Sequence, residues 1–297
     1  MAELEEQLVG ALAHYYGAHP GHRAAHAKGI VCVGEFEGTA EGAALTRAAH
    51  LQGAAVPVTV RFSNGSGVPW APDRSRDRRG MAVRFHLPGG EATDLVAITL
   101  PVFFARTPEG FAEFLSSRER AYVAAHPEAA RAVELSHHAP LPASYARAAY
   151  HAVHAFRWVG AAGDQRWVRC RWEPDAGVAT VSLDQARDWR PDELQHELRE
   201  RLLQGPVVFR LVAAIAEPGD PIDDPTALWP PDRASVVAGV LRIEREGPPE
   251  GSAIAFDPTR VTDGIECSPD PLLLARSAAY ALSASRRAVG VSTRSSI

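Results

Sequence analysis

The sequence predicts an α+β fold that combines amphipathic helices with strands suited to a barrel wall. Apolar residues recur at helical spacing in residues 2–16, and a second amphipathic helix is expected from Pro191 to Gly205. Apolar and polar residues alternate strictly from Val56 to Ser63, which is typical of a strand with one apolar and one polar face. Such a strand suits a barrel wall whose polar face is turned towards a functional site.

The other segments are assigned in chain order. Residues 21–39 are rich in glycine and valine, which favours a bent strand over a helix, and Met81 to Leu87 alternates like a second strand. Residues 107–160 are expected to be helical with breaks at prolines, and residues 156–158, 166–172 and 207–211 to supply the second half of the barrel. Four histidines in this part of the chain are interpreted as surface or capping residues: His137, His138, His151 and His154.

The last predicted helix has a clear start and a clear end. Asp270 suits the N-cap, Pro271 the first helical position, and Gly290 the residue past the end. Arg276 and Tyr280 are four residues apart and Arg287 lies two turns further on, so all three project from one side of this helix. The segment is therefore predicted to be one helix of roughly five turns.

The polar side of this helix carries arginines and a tyrosine but no carboxylate in register. An anionic group is therefore expected there. A free phenol ionises near pH 10, and close guanidinium groups in a low-dielectric site favour its charged form. A tyrosinate of this kind is a known ligand of haem iron. The spacing alone leaves a second interpretation open, in which Arg276 simply stacks on a core tyrosine, Tyr280.

Residues 256–290, which contain Arg276 and Tyr280, resemble the proximal haem segment of haem catalases. The resemblance implies that Tyr280 is the axial ligand of the haem iron and that Arg276 is the partner of its phenolate. Arg287, on the same side of the helix, is expected to belong to the cofactor site. The chain departs from the family pattern at Ala278 and Leu282, where Phe and Asp are usual.

A second segment resembles the distal side of the same family. It reads Arg23-x-x-His26-Ala-Lys-Gly, followed by Gly-x-Phe-x-x-Thr. The resemblance implies that His26 is the acid and base that acts on peroxide and that Arg23 holds a haem propionate. Arg61 and Ser63 also match the family pattern, in which the arginine meets a propionate and the serine bonds the distal histidine. Without the resemblance, His26 would be interpreted as a structural histidine.

The most informative departure lies at Ile98 and Thr99. Catalases have an asparagine pair here, and the first asparagine helps to orient peroxide over the iron. Because Ile98 has no amide, we expect weak dismutation of peroxide and a drier pocket that admits an organic substrate. Phe111 matches the aromatic residue that stacks near the haem of the family, although a helix-core role is also open.

The resemblance extends in order from about residue 20 to residue 290, and no repeat or linker interrupts it. It implies a catalase-like antiparallel β-barrel of about eight strands with surrounding helices and a C-terminal proximal haem helix. We expect one domain over residues 1–297, similar to the short catalase-related peroxidases and without the helical and flavodoxin-like additions of full-length catalases. A homo-oligomer is compatible with the sequence.

The expected function is that of a peroxidase with haem b that reduces hydrogen peroxide, or organic hydroperoxides, and oxidises an organic reductant. Two alternatives stay open at this point. One is a haem enzyme that rearranges fatty-acid hydroperoxides, and the other is a haem-binding barrel without catalysis.

Composition excludes several other classes. The net charge of −5 and the pI near 6.2 argue against binding of nucleic acid or of an anionic membrane. The three cysteines are far apart and lack metal-site spacing, which favours reduced thiols. The acidic N-terminus lacks the apolar core of a signal peptide, and no run of about 18 apolar residues is present. The expected location is therefore the cytoplasm.

Overall fold

The fold is built on a closed ring of eight antiparallel strands, seen in a computed structural model that describes residues 2–292. The strands are β1 (Gly29–Gly38), β2 (Val56–Asn64), β3 (Arg79–His86), β4 (Ala92–Ile98), β5 (Leu141–Pro142), β6 (Tyr150–His151), β7 (Phe156–Val159), β8 (Gln165–Pro174), β9 (Thr180–Val181), β10 (Val207–Ile215), β11 (Ser235–Glu246) and β12 (Ile265–Cys267). The helices are α1 (Ala2–Tyr16), α2 (Ala40–Leu45), α3 (Pro108–Ser116), α4 (Glu119–Ala125), α5 (Ala130–His137), α6 (Glu193–Gln204) and α7 (Pro271–Ser292).

The barrel closes because one strand pairs on two sides. The strand order is β10, β11, β1, β2, β3, β4, β6 and β8, and β8 pairs again with β10 from Val168↔Ile215 to Pro174↔Phe209. β7 and β12 extend the sheet beyond β8, while β5 and β9 form a separate pair. The predicted antiparallel barrel of about eight strands with surrounding helices is confirmed, including the C-terminal helix.

Aromatic side chains fill the barrel interior. Phe36 contacts Phe85 edge to face at a centroid distance of 4.9 Å, and Trp172 lies 6.0 Å from Phe36. Phe62 and Phe209 are equally buried on neighbouring parts of the wall. Residues that alternate with these point outward, so the polar face of β2 lies on the outside of the barrel, away from the apolar core.

The helix prediction for residues 107–160 is right in its first part and wrong in its second. α3, α4 and α5 end at His137, and the chain then forms the short strands β5, β6 and β7. β5 pairs with β9, and β6 pairs with β4 and β8; these partners are distant in sequence, so local patterns could not reveal them. The segment predicted at residues 156–158 is a strand, β7, which extends the sheet beyond β8. Residues 21–28 likewise form turns and bends, and only Gly29–Gly38 of the predicted bent strand is a strand.

Two predicted helices begin where expected, but only one ends as expected. α6 ends at Gln204, with Gly205 at φ 155° as its C-cap. α7 begins at Pro271, with Asp270 accepting hydrogen bonds from the backbone N–H groups of Leu272 (2.9 Å) and Leu273 (3.2 Å). It continues past Gly290 to Ser292, because a glycine inside a helix costs only about 1 kcal/mol and need not end it.

The surface and capping interpretation holds for His137 and His138, which are exposed at the end of α5. It is wrong for His154, which is buried and bonded to Asp270, and His151 is half-buried on β6. Within residues 2–292, no helix is long and apolar enough to cross a membrane.

Candidate active site

A cavity of about 190 Å³ lies against the outer faces of β2, β3 and β4. α1, α3 and α7 cover it, with Leu8 and Leu12 of α1 forming an apolar part of the lining. This is many times the roughly 10–15 Å³ that one water molecule needs. All the residues predicted to form the site line this one cavity: Arg23, His26, Arg61, Ser63, Ile98, Phe111, Arg276, Tyr280 and Arg287.

Strand register positions part of the lining. Ser63 of β2 lies opposite Gly80 of β3, Gly80 lies opposite Ile98 of β4, and Ile98 lies opposite His151 of β6. Side chains at paired positions share one face of a sheet, so these residues form a row along one wall of the cavity. The row brings together residues that are up to 88 positions apart in the chain, from Ser63 to His151.

His26 is held in place through its ring and its backbone. Its Nδ1 lies 2.9 Å from Ser63 Oγ, which leaves Nε2 as the nitrogen able to meet a substrate. Its backbone has a positive φ of 53°, a left-handed conformation that costs a non-glycine residue about 1 kcal/mol or more. The backbone N–H of His26 donates to Gly65 O at 3.1 Å, and Arg61 Nη2 donates to His26 O at 2.8 Å. The surrounding contacts therefore hold a strained residue in one orientation.

Gly80 makes room for this imidazole. A Cβ atom built on Gly80 would lie 2.7 Å from His26 Nδ1 and 2.8 Å from Ser63 Oγ. Both distances are shorter than real Cβ contacts allow. Any larger residue at position 80 would therefore displace the His26–Ser63 pair.

Burial and positive charge keep the His26 ring neutral. Burial is the largest cause that lowers the pKa of His26 well below 6.5, and the guanidinium groups of Arg78, Arg61, Arg276 and Arg23 lower it further. At neutral pH the ring therefore has a free lone pair and can accept a proton. This is the protonation state that a general base needs.

Arg276 and Tyr280 form a close pair on α7. Arg276 Nε donates a hydrogen bond to Tyr280 Oη at 3.1 Å, and Nη2 donates a second, shorter one. The Arg276 Cζ atom also lies 5.2 Å from the centre of the Tyr280 ring. Hydrogen bonds with a charged donor are the stronger class, so the Tyr280 hydroxyl is firmly held by Arg276.

A buried histidine and aspartate support this pair. Arg276 Nη1 lies 3.0 Å from His154 Nε2, and His154 Nδ1 lies 2.6 Å from Asp270 Oδ2. His154 is 3% exposed and the Asp270 side chain is fully buried. Burial is the main cause that lowers the pKa of His154, although Asp270 opposes it by hydrogen bonding. The sequence did not reveal that His154 belongs to the site. The one sequence signal was Asp270: one of its oxygens caps the helix, so the other needed a partner.

Three arginines form a cationic rim on the cavity. They donate to backbone carbonyls: Arg23 to Ile254 O at 2.6 Å, Arg61 to His26 O at 2.8 Å, and Arg287 to Ala253 O at 2.8 Å. Within the described part of the chain, none of the three has a carboxylate within 4.0 Å. Burial lowers the pKa of each guanidinium, and the mutual repulsion of Arg23, Arg61 and Arg287 adds to this effect for Arg23. Such a rim is suited to an anionic ligand that the protein does not itself supply.

The cavity lining beside Ile98 is apolar rather than cationic. This side chain is 8% exposed and packs in a cluster with Leu100, Val102, Phe104 and Val153. Phe111 contacts Phe103 at a centroid distance of 5.0 Å and also lines the cavity. This part of the lining offers apolar surface to a ligand and no amide.

The family model described as catalase matches residues 4–295. This chain belongs to the catalase family. As a catalase-family protein it is 40% identical over 295 residues to a protein of Mycolicibacterium paratuberculosis named "Catalase-related peroxidase", covering 95% of this chain and 94% of that protein. It is 33% identical to a protein of the same name from Synechococcus elongatus, covering 96% of this chain and 89% of that one.

Solved catalase structures have the same fold. One is titled "Structure of a bacterial catalase", with a TM-score of 0.81, 26% identity and coverage of 94% of this chain. Catalase A from Saccharomyces cerevisiae has a TM-score of 0.82 at 23% identity, which shows the fold alone. The present chain spans only 60% and 64% of those two chains.

Two further residues with ionisable side chains, Arg78 and His151, line the catalase-family cavity. Arg78 was not predicted to belong to the site, and His151 was interpreted as a surface or capping residue. Burial lowers the pKa of His151 to about 4, with Arg171 as the next cause. Neither residue carries a local sequence signal, because both reach the cavity through strand register and loop geometry.

Proposed function

We propose that this protein is a haem-dependent peroxidase that reduces hydrogen peroxide and oxidises an organic donor. Membership in the catalase family makes it an oxidoreductase of the haem peroxidase and catalase class. The observation that carries the proposal for this chain is that one cavity contains both the Arg276–Tyr280 pair and the His26–Ser63 pair.

The residues present fit a haem. A phenol bonded to a cation can ligate ferric iron, and the cationic rim of Arg23, Arg61 and Arg287 matches the two carboxylates of a propionate-bearing porphyrin. The lining between them includes apolar side chains such as Ile98 and Phe111, as a porphyrin face requires. None of the three cysteines lines the cavity, so we propose non-covalently held haem b.

Each residue has a defined part in holding the group. Tyr280 would ligate the iron through its oxygen, and Arg276 would tune the basicity of that oxygen. Arg23, Arg61 and Arg287 would bind the propionates, and Phe111 would pack near the porphyrin. When bound, the haem supplies a redox-active iron that passes electrons from the donor to the peroxide.

His26 would act as the general base and general acid for peroxide. Its Nδ1 is engaged by Ser63, so Nε2 takes a proton from one peroxide oxygen and delivers it to the departing oxygen. The lowered pKa of His26 keeps this nitrogen unprotonated before peroxide arrives. Gly80 and the backbone contacts of His26 keep the ring in the orientation that the transfer needs.

Ile98 favours an organic donor over a second peroxide. Dismutation requires a second peroxide molecule to be bound and oriented, and the apolar Ile98 side chain provides no hydrogen bond for it. The same apolar surface admits an aromatic donor or an organic hydroperoxide. We therefore propose weak catalase activity beside the peroxidase activity.

The unpaired cysteines favour a reducing compartment. All three thiols are unpaired, and Cys32 and Cys170 are buried in the barrel, where burial raises the pKa of each thiol to about 12. Free buried thiols are usual in a reducing compartment. We propose the cytoplasm as the place of the reaction.

An absorption spectrum followed by a peroxide titration tests this function. The purified protein, loaded with haemin, is titrated with hydrogen peroxide with and without an aromatic donor. We expect a Soret shift on adding peroxide and its reversal when the donor is oxidised. A bound haem whose Soret band ignores peroxide would indicate a non-catalytic barrel. Turnover of a fatty-acid hydroperoxide without any donor would instead support a rearranging enzyme.

A further inference from the structure

The backbone of Gly65 connects Arg78 to His26. Gly65 accepts a hydrogen bond from the N–H of His26 at 3.1 Å and donates its own N–H to Arg78 O at 2.8 Å. A Cβ atom built on Gly65 would lie 2.7 Å from Arg78 Cγ, so the Arg78 side chain passes closely over this glycine. Both Arg78 and His26 line the cavity.

The guanidinium of Arg78 is buried, and its side chain is hydrogen-bonded to that of Tyr16. Its side chain is 14% exposed, and its Cζ lies 5.4 Å from the centre of the Phe104 ring. Among residues 2–292, the one carboxylate within 4.0 Å of it is Asp77, whose Oδ1 is 3.9 Å from Nη1 and so beyond hydrogen-bond distance. The other oxygen of Asp77 accepts the N–H of Ser66 at 2.7 Å. A guanidinium has five N–H donors, so several are available to a ligand.

Neighbouring arginines have different surroundings. Arg79 is fully buried and donates to the carbonyls of Asp73 (2.6 Å), Ser75 (3.0 Å) and Asp77 (2.8 Å), which makes it a structural residue of the loop. Arg76 is exposed and donates to His137 O at 2.9 Å, outside the cavity. Of these three arginines, Arg78 alone lines the cavity.

We propose that Arg78 is a peroxide-binding residue that donates N–H groups to the substrate next to His26, in place of the amide that Ile98 lacks. This inference rests on the proposed function and assigns a further residue to it. Ile98 leaves the β4 part of the wall without a donor, whereas Arg78 supplies a charged donor from the β2–β3 loop on the side of His26.

The chemistry needs such a donor. The reduction of hydrogen peroxide consumes two protons and two electrons and yields two water molecules, and the organic donor supplies both electrons. When the O–O bond breaks, the electron pair of that bond stays with the departing oxygen, which gathers negative charge. His26 delivers a proton to this oxygen, while a hydrogen bond from Arg78 stabilises the charge as it develops. Arg78 itself is unchanged at the end of the reaction.

The charges around the two residues favour this arrangement. Burial lowers the pKa of Arg78, but the neighbouring Tyr16, Asp77 and Tyr15 outweigh it and leave that pKa raised, so the guanidinium keeps its charge. After burial, Arg78 is the largest cause that lowers the pKa of His26. The other charged groups facing His26 are Arg61, Arg276 and Arg23, and each of them also disfavours a protonated ring.

The test compares Arg78→Gln and Arg78→Lys with a matched control, Arg76→Gln, which removes one charge from the same loop outside the cavity. For each haemin-loaded protein we would measure the haemin affinity, the cyanide affinity of the ferric state, and the rate of the peroxide-induced Soret shift against pH. Arg78→Gln should keep its haemin affinity and lose about 10- to 100-fold in cyanide affinity and peroxide rate, the usual effect of one charged hydrogen bond. The acid limb of its rate profile should move to higher pH, because a charge that lowers the pKa of His26 is gone.

Two further variants distinguish a binding role from a structural one. Arg78→Lys should retain part of the rate because it keeps the charge, and Arg76→Gln should match the wild type. Adding Ile98→Asn to Arg78→Gln should restore part of the loss, since an amide then replaces the lost donor. Wild-type rates and cyanide affinity in Arg78→Gln would overturn the proposal, as would a parallel loss of haemin affinity in both Arg78 variants. A wild-type protein that ignores peroxide would instead refute the proposed function, whatever Arg78 does.

Discussion

Arg276 lies one helical turn before Tyr280 on α7 and donates two hydrogen bonds to its hydroxyl oxygen, from Nε at 3.1 Å and from Nη2. The guanidinium is also held by a second contact, because its Nη1 lies 3.0 Å from His154 Nε2. His154 Nδ1 in turn lies 2.6 Å from Asp270 Oδ2. Asp270 is also the N-cap of α7, so the start of the helix and the orientation of the Arg276–Tyr280 pair depend on one carboxylate.

Replacing Tyr280 with Phe should remove the axial oxygen while leaving the apolar ring. We expect the haemin-loaded variant to lose the charge-transfer bands of tyrosinate-bound ferric haem, which an absorption spectrum would record. Tyr15→Phe is the matched control because Tyr15 is exposed and does not line the cavity. An unchanged spectrum in Tyr280→Phe would remove Tyr280 from the role of iron ligand.

Replacing His154 with Gln should weaken the contact that positions Arg276, and His154 itself does not line the cavity. The change leaves Asp270 and Arg276 with poorer partners in a buried place, so the free energy of unfolding should fall by about 1–3 kcal/mol. Urea unfolding of the haemin-loaded protein measures this, and the charge-transfer bands should shift in the same sample. The exposed His138→Gln serves as control. Equal stability of the two variants would argue against the Asp270–His154–Arg276 connection.

Replacing Ile98 with Asn should add a side-chain amide that can hydrogen-bond a second peroxide molecule, which Ile98 cannot do. We predict a gain in oxygen evolution from hydrogen peroxide, read with an oxygen electrode, because a second peroxide gains a hydrogen-bonding partner. Ile98→Leu keeps the apolar volume and should give no gain. If Ile98→Asn also gave none, the weak dismutation would have to be traced to another feature of the cavity.

Replacing Gly80 with Ala should displace His26, since the new Cβ would lie 2.7 Å from its Nδ1. Peroxide should then shift the Soret band more slowly, by about 10-fold or more, because general acid–base catalysis depends on the position of the ring. Haemin affinity should persist. Gly10→Ala is the control, because in the described part of the chain no atom beyond its own stretch of α1 backbone lies within 4 Å of a Cβ at that position. Rates that stay equal in the two variants would contradict the packing argument.

His50 should make the protein sensitive to acid. Burial among Phe36 and Phe85 lowers its pKa from 6.5 to about 4, and its Nδ1 has no hydrogen-bond partner among residues 2–292. Between these two pH values the unfolded chain binds a proton at His50 that the folded chain does not. Stability should therefore fall as the pH decreases from 6.5 towards 4, by about 3 kcal/mol from this residue.

The measurement is urea unfolding at several pH values between 4 and 7. His50→Leu should show a shallower loss of stability in this range, because the apolar side chain takes up no proton and leaves no unpaired nitrogen. His138→Gln again serves as the control and should keep the wild-type slope. The same slope in His50→Leu and wild type would show that other buried histidines account for the acid sensitivity.

The sequence by itself determined the features that depend on neighbouring residues. The N-cap at Asp270, the spacing of Arg276 and Tyr280, and the alternation in β2 are all local, because helix and strand periodicity places residues two to four apart on one face. The end of α7 and the strands β5 and β6 were mistaken, since a glycine does not force a helix to stop and the pairing of these two strands depends on distant partners.

Only the tertiary structure decided which distant residues meet in the cavity. His154 reaches Arg276 across 122 positions, and Ile98 meets His151 through the register of β4 with β6. Arg78 reaches the neighbourhood of His26 because Gly65 connects their backbones. Such contacts arise from barrel closure and loop packing, which depend on the summed burial of the whole core and leave no pattern in any short stretch of sequence.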